Sequence, residues 1–132
     1  MATTMMRRIG RAVGLMEHAQ AFAELLQRAA TPESLDWQSL RPGVDFHALY
    51  GYPGQGPAAA LLRYAPGATV PAHRHTDYEH ILVLDGEQRD ANGRYRAGTL
   101  LVSPPGSRHA VASDDGCLVL AIWSGPLEFE PA

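Results

Sequence analysis

From position 44 onward, apolar and polar residues alternate in short runs broken by Gly, Pro and Asn. Val44, Phe46, Ala48 and Tyr50 alternate with Asp45, His47 and Leu49, which predicts a strand over 44–50. A Gly/Pro cluster over 51–57 makes a turn. Further strands are expected over 58–64, 69–75, 79–84, 99–103, 108–113 and 117–123. Pro66-Gly67 and Asp85-Gly86 are expected to end the second and fourth of the series. Residues 87–90 and 94–96 read as the arms of a hairpin around Ala91-Asn92-Gly93, where Asn-Gly is expected to supply positive φ. About eight short strands with punctuating turns predict an all-β fold, a closed or double-sheet antiparallel barrel.

Ahead of the strands the period changes. Leu15, Ala19, Phe22, Leu25, Leu26 and Ala29 fall near helical spacing, and Glu17, Gln20, Glu24, Gln27 and Arg28 take the other face. One helix is therefore expected over 16–29. Thr31-Pro32 either closes it or opens a second short turn, with Thr31 as cap and Pro32 at the first helical position. The apolar stripe must bury on the barrel or on a second subunit. Arg7, Arg8 and Arg11 precede an apolar stretch too short for a secretory signal, so the start reads as a basic leader. The expected division is a leader and amphipathic helix over 1–35 and a barrel over 36–132.

Composition narrows the function classes. A chain of 132 residues allows one domain with a real core. The net charge is −3, so no broad basic surface exists and nucleic acid is not an expected partner. No apolar run approaches the ~20 residues of a membrane span, and no membrane partner is expected. The single cysteine, Cys117, allows no internal disulfide and no cysteine-rich zinc knuckle. A reducing, cytoplasmic setting is the expectation.

The chemistry lies in two glycine-bounded runs. Residues 67–86 contain His73, His75 and Glu79, and residues 98–113 contain His109. Three imidazoles and one carboxylate on short strands are a ligand set for one divalent transition metal: Fe, Zn, Mn or Ni. Alternation puts His73 and His75 on one face and Arg74 on the other. Residues 76–78 return Glu79 beside the pair, and Pro104-Pro105-Gly106 reverses the chain into the segment bearing His109. Four such ligands leave two positions open on an octahedral ion for water, dioxygen or a bidentate oxygen ligand, and none on tetrahedral zinc. No general base is identifiable beyond the ligands. His80 is expected on the opposite strand face, His47 toward solvent, and His18 without a ligand partner. Cys117 reads as a buried inert thiol. Tyr64, Tyr78 and Trp123 are core or pocket aromatics. Arg63, Arg74, Arg96 and Arg108 are available to bind carboxylates.

On these residues the chain resembles a cupin, a jelly-roll-like antiparallel barrel. The first cupin motif is matched by Gly67, His73, His75, Glu79 and Gly86, and the second by Gly98, Pro104, Gly106 and His109; Ser113 stands where Asn is usual. The segments 37–50, 60–67 and 89–95 with Gly116-Cys117 are similar to the cupin domain of ChrR anti-sigma factors and their standalone relatives, with His80 where a second acid is common. The resemblance implies a metal-binding barrel and a homodimer. It also implies one of two roles, regulation under singlet-oxygen and peroxide stress or iron-dependent cleavage of β-diketones. Anti-sigma factors of that type hold the sigma factor with a separate zinc domain using His and Cys. Residues 1–35 contain no Cys and only His18, so a sigma factor is not the expected partner of this chain alone. The expected function is a non-haem metal oxygenase-type activity on a small molecule. The alternatives are a regulatory or oxidant-sensing module and a non-catalytic binding barrel.

Overall fold

The computed structural model describes residues 16–131. The basic leader and Leu15 lie outside the described residues. Ten antiparallel strands follow a short N-terminal segment: β1 (Gln38–Arg41), β2 (Val44–Tyr50), β3 (Ala58–Tyr64), β4 (Ala68–His75), β5 (Glu79–Asp90), β6 (Gly93–Arg96), β7 (Leu100–Ser103), β8 (Arg108–Ser113), β9 (Cys117–Trp123) and β10 (Leu127–Phe129). The order across the sheet is β1-β2-β3-β9-β5-β8-β4-β10, with β6 and β7 also paired to β5. The sheet curls into the expected cupin barrel, and its inward faces enclose Val44, Phe46, Leu62, Val83, Val119 and Ala121.

β5 joins the two halves. Its first half pairs with β7 and β9, and its second half with β6 and β8. Two strands were expected here, separated by a turn at Asp85-Gly86; instead one strand bends through that point. A register shift between Val83 and Asp85 provides the bend, and Gly86 sits at φ 77. A Cβ on Gly86 would lie 2.3 Å from the Gly116 carbonyl oxygen, so the close passage of β9 admits only glycine.

The expected hairpin forms, with Glu87 opposite Arg96 and Asp90 opposite Gly93. Its turn differs from expectation, because neither Asn92 nor Gly93 has positive φ. The turn is held instead by Asp90 Oδ1, which accepts the Asn92 backbone N–H at 2.8 Å.

The helix expected over 16–29 is only α1 (Leu25–Ala29), which begins at Glu24 in the left-handed region with φ 56. Ala19 is exposed and Phe22 only half-buried, so the first part of the stripe is not packed into the core. Without such contact a helix this short has little intrinsic stability. Where contact exists, the segment is ordered on its own barrel: Ala29 and Leu35 pack on the outward-facing Leu61 and Leu118. A 3₁₀ turn (Pro32–Ser34) follows, with Thr31 at its N-cap position, though without a side-chain capping hydrogen bond, and Pro32 at its start, the second of the two expected alternatives. Among the described residues, no helix is long and apolar enough to cross a membrane.

Gly86→Ala is expected to destabilise the fold by at least about 2 kcal/mol, because strained φ adds to a backbone collision. Gly98→Ala has φ 91 but nothing within 4 Å of the added Cβ, and is expected to cost only about 1 kcal/mol. Urea denaturation midpoints of the two variants check the difference.

Candidate metal centre

β4 does not alternate throughout. Ala68 and Val70 face inward, Pro71 is exposed, and then His73 and His75 face inward. The phase changes because Val70 pairs with Val111 while His73 pairs with His109, so β4 holds one extra residue. Pro71 fits such a bulge because it has no N–H to donate. Its free carbonyl is also used: His73 Nδ1 lies 2.9 Å from it.

Each of the other two imidazoles is likewise fixed at Nδ1. His75 Nδ1 lies 2.9 Å from Ser107 Oγ, and His109 Nδ1 lies 3.1 Å from Asp90 Oδ2. With every Nδ1 directed outward to an acceptor, Nε2 of each ring keeps its lone pair for the centre. Glu79 is fixed at one oxygen, where Trp123 Nε1 donates to Oε2 at 2.7 Å. Its Oε1 lies 3.0 Å from His75 Nε2 and 3.7 Å from His109 Nε2.

The rings of His73, His75 and His109 stand 4.8–5.1 Å apart at interplanar angles of 70–87°. One donor atom from each of His73, His75, Glu79 and His109 lies within 4.8 Å of the others. His73, His75 and Glu79 are 2%, 1% and 3% exposed. Three of the inward atoms, His75 Nε2, Glu79 Oε1 and His109 Nε2, are buried without a hydrogen-bond partner. Buried polar atoms are rarely left so, and a shared cation satisfies all three at once. The four residues fit a single metal ion.

The electrostatics agree. Burial alone would raise the Glu79 carboxyl, but close contact with His75 and the neighbouring His109 and His73 hold it below its ordinary range. Burial lowers His73 from its usual value, favouring the neutral, ligating form. Asp90, despite burial, is kept low by bonds from the Asn92 N–H, His109 and Tyr95. The Tyr95 hydroxyl donates to Asp90 Oδ1 at 2.9 Å, so Tyr95, Asp90 and His109 form a chain leading to the centre.

Asp90, Trp123 and Ser107 have these orienting roles, which strand pattern alone does not reveal. Gly67, Gly86, Gly98 and Gly106 all have positive φ. His80 is on the outer face, stacked 6.2 Å from exposed Tyr78. His47 is half-buried and lies 2.9 Å from the Asp36 carbonyl, so it is not free in solvent. His18 is exposed, and Cys117 is buried with its thiol pushed up by burial. Arg63, Arg74, Arg96 and Arg108 are engaged with Asp45, Glu128, Glu87 and Glu130 on the outside.

His73, Glu79 and His109 open onto an interior cavity of about 70 Å³, walled by apolar residues including Leu62, Val70, Ile81 and Val111. A wider groove of about 900 Å³ beneath α1 contains none of the four metal-fitting residues.

The sequence matches the family model described as the ChrR cupin-like domain over residues 27–128. The chain belongs to that family. It is 35% identical over 100 residues to the anti-sigma-E factor ChrR of Cereibacter sphaeroides, covering 74% of this chain and 46% of that protein. The chain thus spans less than half the length of this relative. The structure of Rhodobacter sphaeroides SigE in complex with the anti-sigma ChrR is similar with TM-score 0.61 and 25% identity, over 81% of this chain and 70% of that one. An acetylacetone dioxygenase from Acinetobacter johnsonii shares the fold, with TM-score 0.68 and 13% identity over 89% of this chain and 82% of that one.

Asp90→Ala leaves His109 without its orienting acceptor and is expected to lower metal affinity by about 10–100-fold, with the fold retained. Competition against a chromophoric chelator measures this.

Proposed function

We propose that His73, His75, Glu79 and His109 bind one divalent transition metal and that the protein uses it for oxygenase-type chemistry on a small molecule. The observation that carries this reading is the cavity: the four-residue cluster faces an apolar interior space with room for a ligand beside the donors. A metal bound there supplies Lewis acidity, and iron in addition supplies dioxygen activation. The chain's own residues do the rest. Pro71, Ser107 and Asp90 hold the imidazoles in one tautomer, Trp123 holds the carboxylate, and the apolar wall excludes bulk water. The likeness in fold to an acetylacetone dioxygenase supports a small oxygen-donor substrate. The setting that accords with one buried, unpaired cysteine is the cytoplasm.

The 35% identity to an anti-sigma factor favours a second reading, in which metal or oxidant state at the same centre controls contact with a protein partner. Anaerobic loading with Fe²⁺, followed by oxygen-electrode assays with acetylacetone and short oxo acids, separates the two. Oxygen uptake that is lost in His109→Ala is expected. A fully iron-loaded protein inert toward oxygen with every such substrate defeats the oxygenase reading and leaves the regulatory one.

The proposed oligomer is a homodimer. α1 and the turn after it cover one part of the outer sheet face, while Leu100, Val102 and Ile122 remain 57%, 45% and 39% exposed on another. His80 is the cross-strand partner of both Val102 and Ile122, and Leu82 of Leu100, so these residues form one continuous patch. A second copy buries the same patch on both sides of a two-fold axis. Light scattering should give a dimer mass for the native chain and a monomer mass for Val102→Glu. A monomeric native chain overturns the assignment.

A further inference from the structure

The arginines of the barrel fall into two classes. Arg63, Arg74, Arg89, Arg94, Arg96 and Arg108 each lie 2.7–3.2 Å from a carboxylate. Arg41 has no carboxylate within reach among the described residues, and its side chain makes no hydrogen bond to them. Its guanidinium lies 4.8 Å from the ring centroid of Phe129, and it lines the cavity that contains His73, Glu79 and His109. Local geometry brings it there. Ser39 pairs with Asp45 and Arg41 with Val44, so β1 carries one extra residue at Leu40. Adjacent residues of a regular strand face opposite ways, yet Leu40 and Arg41 both line the same cavity. A bulge that re-aims a side chain in this way is characteristic of binding sites.

Tyr64 lines that cavity from β3 and is 5% exposed. Its side chain makes no hydrogen bond among the described residues. A phenol keeps its proton near neutral pH, so the hydroxyl is available as a donor. An unpartnered guanidinium and an unpartnered phenol at one cavity both lack an acceptor, and a carboxylate supplies acceptors to both. The apolar wall accommodates a short carbon chain, and the metal-fitting cluster accommodates a carbonyl oxygen. A free volume of about 70 Å³ is space on the order of five waters, which restricts the ligand to a few carbons.

We infer that Arg41 and Tyr64 form the recognition pair for the carboxylate of a short-chain oxo acid, whose carbonyl oxygen faces the metal centre. The site thus takes an anionic substrate in preference to a neutral diketone. This deepens the metal-centred reading above and rests on it for the carbonyl end only.

The test is calorimetric titration of the full chain, loaded with Ni²⁺, which can keep positions open for an oxygen ligand, and, separately, stripped of metal. The probes are acetoacetate and acetylacetone, which match in size and differ in charge. The native chain should bind acetoacetate at least about tenfold more tightly than acetylacetone. Arg41→Met should remove that preference, with metal content retained. Tyr64→Phe should weaken acetoacetate by about three- to tenfold. Equal affinity for the two probes in the native chain overturns the inference, as does a preference that survives in Arg41→Met, or binding of neither probe. The native comparison needs no variant to fold. Failure of the metal reading appears separately, as absence of bound nickel by plasma mass spectrometry, and the charge preference remains measurable in the metal-stripped chain.

Discussion

Everything in the barrel's interior is arranged around the difficulty of burying three imidazoles and a carboxylate together. A buried polar group without a partner costs about 1–3 kcal/mol, and a buried charge more. The structure meets this by fixing one side of each group and leaving the other shared. The Pro71 carbonyl, Ser107 and Asp90 take the outward nitrogens, and Trp123 takes one carboxylate oxygen. The remaining donor atoms converge, and three of them have no hydrogen-bond partner. A side-chain cluster held in this way is poised for a cation and is expensive without one. The apolar shell from Val70 to Val111 raises that expense, because it offers the four groups no further polar partners.

The outward supports come from elements that regular alternation would not bring together. The extra residue in β4 turns His73 inward and frees the Pro71 carbonyl in the same step. The bend of β5 at Gly86 carries Asp90 from the end of a strand that begins at Glu79 to the opposite side of the same centre. One strand therefore supplies a candidate ligand at its first residue and the support of another ligand at its last. β9 passes close against Gly86 and pairs Trp123, six residues after Cys117, with Glu79 through an antiparallel register that shifts once, between Val83 and Asp85. The glycine bend and the orientation of the carboxylate are thus mechanically one feature.

This explains what could be read from the chain and what could not. The barrel and the convergence of His73, His75, Glu79 and His109 were legible, because turn residues and metal-type side chains are local signals. Strict alternation, however, would have set His73 opposite Val70, and only the bulge reconciles them. Asp90 reads as an ordinary hairpin acid until the bend in β5 is known. The helical period over 16–29 does not say whether a surface waits for it; among its residues, Leu25 and Ala29 pack on the outer cluster. β1 and β10 are not delimited by the pattern. They are short, and their side chains are divided between solvent and the cavity mouth, so they carry little periodic signal.

Those two strands matter most for function. The four-residue cluster is common to open and closed metal centres, so ligand identity alone says nothing about what enters. The cavity walls from β3, β4, β5 and β8 are apolar apart from Tyr64 and the cluster residues His73, Glu79 and His109. β1 and β10 contribute Arg41, Leu127 and Phe129, and Arg41 is the guanidinium of the lining. The ring of Phe129 lies 4.8 Å from the Arg41 guanidinium and 5.2 Å, between centroids, from His73. One aromatic ring thus neighbours both the guanidinium and the cluster. The other barrel arginines are neutralised by carboxylates on the surface, so the field at the mouth comes from Arg41 unopposed by a neighbouring acid. On the proposed reading, substrate charge would be selected where β1 and β10 meet the barrel, and reactivity would arise where β4, β5 and β8 meet inside it.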